Sequence, residues 1–218
     1  MMMNQRSSQP VADRVLLGGA LIAFTLFALL GGFVGSSPPK GLDAAALALL
    51  GHGGDLVAWT LTQSGFFQTF ATLFVLMLLT ALIARDWLYL RRVVFSILTL
   101  LTGWFLSDAC KGIFHRARGE AWLVRHETSY SYPSGHATLA VLFWVLWAYF
   151  LWNSTLPLLL RRIGAYALIA FALAVGWSRL ELGAHFLSDV VGGYLLGLAW
   201  LALALWLAHR LRVGLYPR

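Results

Sequence analysis

The chain has 218 residues, of which 60% are apolar or aromatic and only 11% charged, with sixteen Lys and Arg against nine Asp and Glu. A soluble domain carries about 25% charged residues, and a chain this short has too little interior to hide so much apolar surface from water. Composition therefore excludes a water-soluble domain, a disordered chain and, with one cysteine (Cys110, read as a buried thiol), a disulfide framework.

Residues 15–34 are the first stretch long enough to cross a bilayer core. Arg6 and Arg14 precede it as in a secretory signal, but its length exceeds the 7–15 apolar residues of such a segment, so a retained helix is expected. Segment 36–63 follows, with Pro38 and Pro39, a helical-looking 42–50 whose one charge is Asp43, and glycines at 51, 53 and 54. It reads either as a helix lying on the outer interface, over a point of lipid entry, or as a plain connector. Further apolar runs cover 66–84 and 93–110 and, after a polar stretch at 108–135, residues 137–152, 164–177 and 186–208. The expected fold is all-α, a six-transmembrane-helix bundle. Residues 15–208 would form the membrane domain, with tails at 1–14 and 209–218.

Basic residues set the orientation of such a bundle. With the N-terminus inside, Arg6, Arg14, Arg85, Arg91, Arg92, Arg161, Arg162, Arg210, Arg212 and Arg218 are cytoplasmic, and Lys40, Lys111, Arg116, Arg118, Arg125 and Arg179 lie outside. Ten against six favours both termini in the cytoplasm of a cell-membrane protein. The net charge of +7 is thus mostly topology and not a sign of nucleic-acid binding.

Lys111, Arg116, Arg118, Arg125 and Arg179 oppose the positive-inside bias, so an anion is the expected reason for them, against the plainer one of attraction to lipid headgroups. Three clusters fall on that face: Lys111 to Gly119, Tyr132-Pro133-Ser134-Gly135-His136, and Ser178-Arg179 with His185 and Asp189. Lys111, Arg118 and Arg179 supply cationic donors suited to phosphate oxygens. Ser134 and Gly135 enter a helix whose first N–H groups and Ser hydroxyl can meet an anion, with His136 adjacent as a general acid. His185 and Asp189, four apart, share one helix face, so the carboxylate can fix the ring tautomer and leave the other nitrogen to attack. Gly193 and Gly197 continue that stripe and turn it toward a neighbouring helix. A metal held by His136, His185 and Asp189 is the competing reading, and the surrounding cations oppose it.

These clusters resemble the signature of the type 2 phosphatidic acid phosphatase (PAP2) superfamily: K-x6-R-P, P-S-G-H and S-R-x5-H-x3-D. Lys111 and Arg118 match the first, Pro133 to His136 the second, and Ser178, Arg179, His185 and Asp189 the third; Gly119 stands where the family has proline. Glycine loosens the chain after Arg118 where proline would stiffen it. The resemblance implies a metal-independent, cofactor-free membrane phosphatase acting on a lipid phosphate or diphosphate, with its site facing the outside or periplasm. Undecaprenyl diphosphate, phosphatidylglycerophosphate, phosphatidate and lipid A phosphates are the implied candidates. It also implies a phosphohistidine on His185 oriented by Asp189, protonation of the leaving oxygen by His136, and phosphate held by Lys111, Arg118, Ser134, Gly135 and Arg179. A lipid phosphotransferase using the same intermediate and a non-catalytic scaffold or transporter are the alternatives.

Asp108 is read as a helix-end partner of Lys111, and Glu120, Glu127 and Glu181 as acids bordering the cationic site. His115 and His126 are read as loop histidines, and Trp104, Trp122 and Trp177 as interfacial anchors.

Overall fold

A computed structural model describes residues 5–35, 40–50, 56–118 and 129–216. Gly119, Glu120, Trp122, Arg125, His126 and Glu127 lie outside these, as do Pro38, Pro39 and the glycines at 51, 53 and 54. The described residues form helices without strands: α1 (Gln5–Val34), α2 (Leu42–Leu50), α3 (Leu56–Gln63), α4 (Phe67–Ala84), α5 (Trp87–Phe114), α6 (Gly135–Trp152), α7 (Leu158–Glu181) and α8 (Leu187–Arg210).

Six of them, all but α2 and α3, are long and apolar enough to cross a membrane. They match the six expected spans, and all but α4 extend past the expected bounds at one end or both. The first helix reaches back to Gln5, into the segment expected as a tail. The fifth span runs from Leu158 and carries Arg161 and Arg162 in its early turns. Phe33 is 87% exposed and Ile83 82%, and Leu21, Ile22, Leu29, Leu173 and Tyr166 are exposed on the same helices or on α7. Water-soluble monomers rarely expose so many large apolar side chains on their helices; lipid is the solvent that suits them.

Inside the bundle, α8 packs along α1 and meets α6 through small residues. A Cβ on Gly193 would lie 2.5 Å from the Ser134 carbonyl oxygen and 2.9 Å from Ala137 Cβ, and one on Gly197 would lie 2.8 Å from Val141 Cβ. The two glycines therefore face α6, as the stripe predicts. Thr138 Oγ1 donates to the carbonyls of Ser134 (3.0 Å) and Gly193 (3.1 Å), tying the two helices together. From Val141 to Val145, beside the Gly197 contact, α6 widens into a π-helical turn. Phe70, Phe74 and Phe143 (ring centroids 5.1 and 5.4 Å apart) form part of the core with Leu100, Leu142 and Leu146.

Chain reversals are built locally. Asp86 caps α5 by accepting from Leu88 N (3.0 Å) and Tyr89 N (2.9 Å). At the other end of α5, His115 takes a left-handed conformation (φ 50°) and turns the chain into the bundle end where the motif residues gather. There Tyr132 stacks on Phe27 of α1 (5.4 Å) and its hydroxyl donates to the Phe27 carbonyl at 2.7 Å. Burial pushes the Tyr132 phenol well above its ordinary range, so it stays neutral.

Candidate active site

The three motif clusters meet at one end of the bundle, each delivered by a helix terminus. Lys111 lies in the last turn of α5, and Arg118 on the irregular stretch that follows His115. Ser134 is the N-cap of α6, accepting from Ala137 N at 3.5 Å, and Gly135 and His136 open that helix. Arg179 ends α7; Gly183 (φ 64°) reverses the chain, and the N–H groups of Ala184 and His185 return to the Arg179 carbonyl at 3.0 and 3.2 Å. Asp189 sits in the first turn of α8, where its Oδ2 accepts from Phe186 N at 2.9 Å. A carboxylate there satisfies a free helix N–H and meets the positive helix end.

A cavity of about 400 Å³ opens over this junction, and Lys111, Arg118, Gly135, His136 and His185 line it. Ser134, Arg179 and Asp189 are completely buried behind its wall. Arg179 Nη1 donates to Thr62 Oγ1 of α3 at 2.6 Å, which ties the segment before α4 to the site. Gly135 leaves the Lys111 ammonium close to the start of α6, 3.9 Å from where a Cβ would stand.

Each histidine has a distinct setting. His185 turns Nε2 toward Arg118 Nη1 at 3.3 Å, while Nδ1 lies 3.4 Å from Ser131 Oγ and 3.5 Å from Asp189 Oδ2. Burial, and then the positive charges of Arg118, Arg179 and Lys111, hold its pKa well below the usual histidine value. The ring is therefore neutral at pH 7, with a lone pair on one nitrogen. His136 packs edge-on against Phe66 (4.7 Å), and Gly65 leaves room for it: a Cβ there would come within 2.6 Å of its Cδ2. The Nε2 of His136 and the hydroxyl of Ser107, both buried among cavity-lining residues, have no hydrogen-bond partner among the described residues. Such buried polar atoms are costly unless a ligand or water completes them.

Asp189 has more partners than the four-residue spacing predicts. Ser131 Oγ donates a short hydrogen bond to its Oδ2, and Arg116 Nη1 donates to its Oδ1 at 2.6 Å. Arg116, counted above only as one of the outer cations, is 2% exposed and also pairs with Asp43 at 2.7 Å. Asp43 thus joins α2 to the site. A lone acid in an otherwise apolar helix is the signal that points to it. Ser131 and Thr62 have no comparable signal in the sequence.

Of the smaller readings, Asp108 is exposed at the cavity edge, and His115 is an exposed loop histidine against Tyr130 (4.7 Å). Trp104 is 40% exposed and lines the cavity. Among the described residues, no group of three or more His, Cys, Asp or Glu could hold a metal ion.

The fold and the site together define an all-helical, multi-pass membrane protein with a cation-lined, two-histidine cavity at one end of the bundle. Residues 92–212 match the PAP2 superfamily, more than half of the chain, and the protein belongs to that superfamily. It is 36% identical over 125 residues to phosphatidylglycerophosphatase B of Bacillus subtilis (strain 168), covering 55% of this chain and 61% of that protein. It is 35% identical over 91 residues to phosphatidylglycerophosphatase B of Escherichia coli (strain K12), covering 42% and 34%. The matches thus span less than two thirds of these curated relatives. The crystal structure of the first transmembrane PAP2 type phosphatidylglycerolphosphate phosphatase from Bacillus subtilis shares the fold, with a TM-score of 0.74 at 26% identity over 88% of this chain and 96% of that one.

Proposed function

We propose that the protein is a membrane phosphatase that removes a terminal phosphate from a lipid phosphate or diphosphate through a phosphohistidine. The observation that carries this reading is the shared cavity: two cations and two histidines open onto one space, and His185 turns Nε2 toward it with Asp189 behind. The Nε2 lone pair of His185 attacks phosphorus while the bond to the leaving oxygen breaks, and His136 supplies the proton that this oxygen needs. Water, giving a proton back to His136, then displaces His185 and releases inorganic phosphate.

Lys111 and Arg118 donate to the phosphate oxygens, the Gly135 end of α6 adds its N–H dipoles, and Arg179 contributes its positive field from behind the wall. Ser134 keeps the start of α6 in place as its cap. Fixed donors of this kind stabilise the charge that spreads over the transferring group, which is the main catalytic contribution in phosphoryl transfer. The same cations do the neutralising that a divalent metal would otherwise supply, so the reaction is metal-independent in this reading.

The names of the relatives make phosphatidylglycerophosphate the first substrate to try. The termini are cytoplasmic, and the cavity opens on the outside or periplasmic face, where the basic residues left over from topology collect. Residues 15–208 form the working domain.

Phosphate release by purified protein in detergent, from phosphatidylglycerophosphate, phosphatidate, undecaprenyl diphosphate and a lipid A phosphate, with and without excess chelator, tests the proposal. Release from at least one lipid, unchanged by chelator, is expected. Release from none rejects the function, and loss restored by a divalent ion rejects the metal-independent chemistry.

A further inference from the structure

One buried cation of the site, Arg116, stands within the first motif cluster at a position the motif leaves unspecified. Arg116 lies on the stretch between α5 and Arg118, and its carbonyl accepts from Ser131 N at 2.7 Å, so the two loops of the site hold it from both sides. Its guanidinium is buried between two carboxylates. Nη1 donates to Asp189 Oδ1 (2.6 Å) and Ser188 Oγ (2.6 Å), and Nη2 donates to Asp43 Oδ2 (2.7 Å). Phe186 covers the guanidinium face at 4.6 Å. Asp43 also accepts from the backbone N–H (2.8 Å) and hydroxyl (2.6 Å) of Ser188, at the start of α8.

We infer that Arg116, held by Asp43 of α2, is a positioning residue: it occupies one oxygen of Asp189 and leaves the other to face His185. The inference rests on the proposed role of His185 and adds to it a charge balance set by residues the motifs do not specify. Two buried carboxylates this close repel unless a cation separates them. Arg116 is that cation, and its charge also limits how strongly Asp189 can favour a protonated His185. In this way α2, which lines none of the cavity, helps to set the charge within the site.

The charge balance gives a sign that loosened packing does not. Arg116→Gln leaves Asp43 and Asp189 uncompensated, which favours the protonated His185 ring and raises its midpoint by about one pH unit. Asp43→Asn removes a negative charge and lowers the midpoint by a similar amount or less. The double variant, neutral at both positions, returns close to the parent. The other charged and titratable groups around His185 stay in place in all three: Asp108 and Lys111 of α5, Arg118, His136 of α6, Arg179 of α7 and Asp189 of α8.

The test uses full-length protein in detergent, with the His185 ring followed by NMR in 15N-histidine-labelled samples and assigned by its loss in His185→Gln. Hydrolysis of p-nitrophenyl phosphate is measured on the same samples. Midpoint shifts of opposite sign are expected, with a fall of 10-fold or more in kcat for Arg116→Gln and KM within about threefold of the parent, as for a group acting on the chemical step. Shifts in the same direction, no shift, or an unchanged kcat in an active parent would overturn the inference. If Arg116→Gln does not fold, the direction of the Asp43→Asn shift decides alone. If the parent hydrolyses no phosphate ester, the proposed function fails, while the titration still decides whether the clamp sets the charge on His185.

Discussion

At the scale of single residues, the two histidines differ in what surrounds them. His185 has a carboxylate, a hydroxyl and a guanidinium within 3.5 Å, whereas His136 Nε2 has no partner among the described residues. In the proposed mechanism the first is the ring that attacks phosphorus and the second the ring that gives a proton to the leaving oxygen. Removing the attacking nitrogen removes the intermediate, so His185→Ala is expected to abolish phosphate release from every ester. Removing the proton donor matters only when the leaving oxygen needs a proton. His136→Ala is therefore expected to cost about 10²–10⁴-fold on a lipid phosphate and far less on p-nitrophenyl phosphate, whose phenolate leaves unaided. Parallel rate measurements on the two substrates check this; equal losses on both would remove His136 from the acid role.

At the scale of elements, the site depends on how closely α8 approaches α6. Gly193 allows the backbone of Ser134 to sit against α8, and Ser134 N donates to the Asp189 carbonyl at 2.9 Å. A side chain at 193 pushes the start of α6, with Gly135 and His136, away from Asp189. Gly193→Val is expected to destabilise by about 1–3 kcal/mol and to lower phosphate release in proportion. Gly18→Ala, in α1 with nothing within 4 Å of the new Cβ, is the control expected to change neither. Thermal unfolding in detergent reads the first effect; an unchanged midpoint for Gly193→Val would show that the helices can part without loss.

At the scale of the whole molecule, charge is divided between the two ends of the bundle. Arg85, Arg91 and Arg92 lie at the junction of α4 and α5, Arg161 and Arg162 in the first turns of α7, and Arg210 at the end of α8. The end carrying Lys111, Arg118 and Arg179 is the other one. If the positive-inside bias governs insertion, Lys40→Cys beside α2 is labelled by a membrane-impermeant maleimide in intact cells. Thr155→Cys, between α6 and α7, is labelled only after permeabilisation. Both are exposed positions, and a Cys110→Ala background removes the native thiol. The reverse pattern would turn the site toward the cytoplasm.

The sequence by itself determined the six spans, because a long uncharged run has few other stable states in or out of lipid. It also determined the motif residues, because a chain this poor in charge makes each cation away from the inner loops conspicuous. Periodicity was enough to turn Gly193 and Gly197 toward a neighbour, since one helix face is fixed by a spacing of four. Only the tertiary structure decided which residues stand around Asp189. Arg116 and Ser131 reach it from 73 and 58 positions away, Asp43 in turn holds Arg116, and no local period links such groups. It also separated the motif set into residues that line the cavity and residues buried behind it. The few charges that composition made conspicuous are thus balanced against one another across the fold, a property of distances between segments and not of their order in the chain.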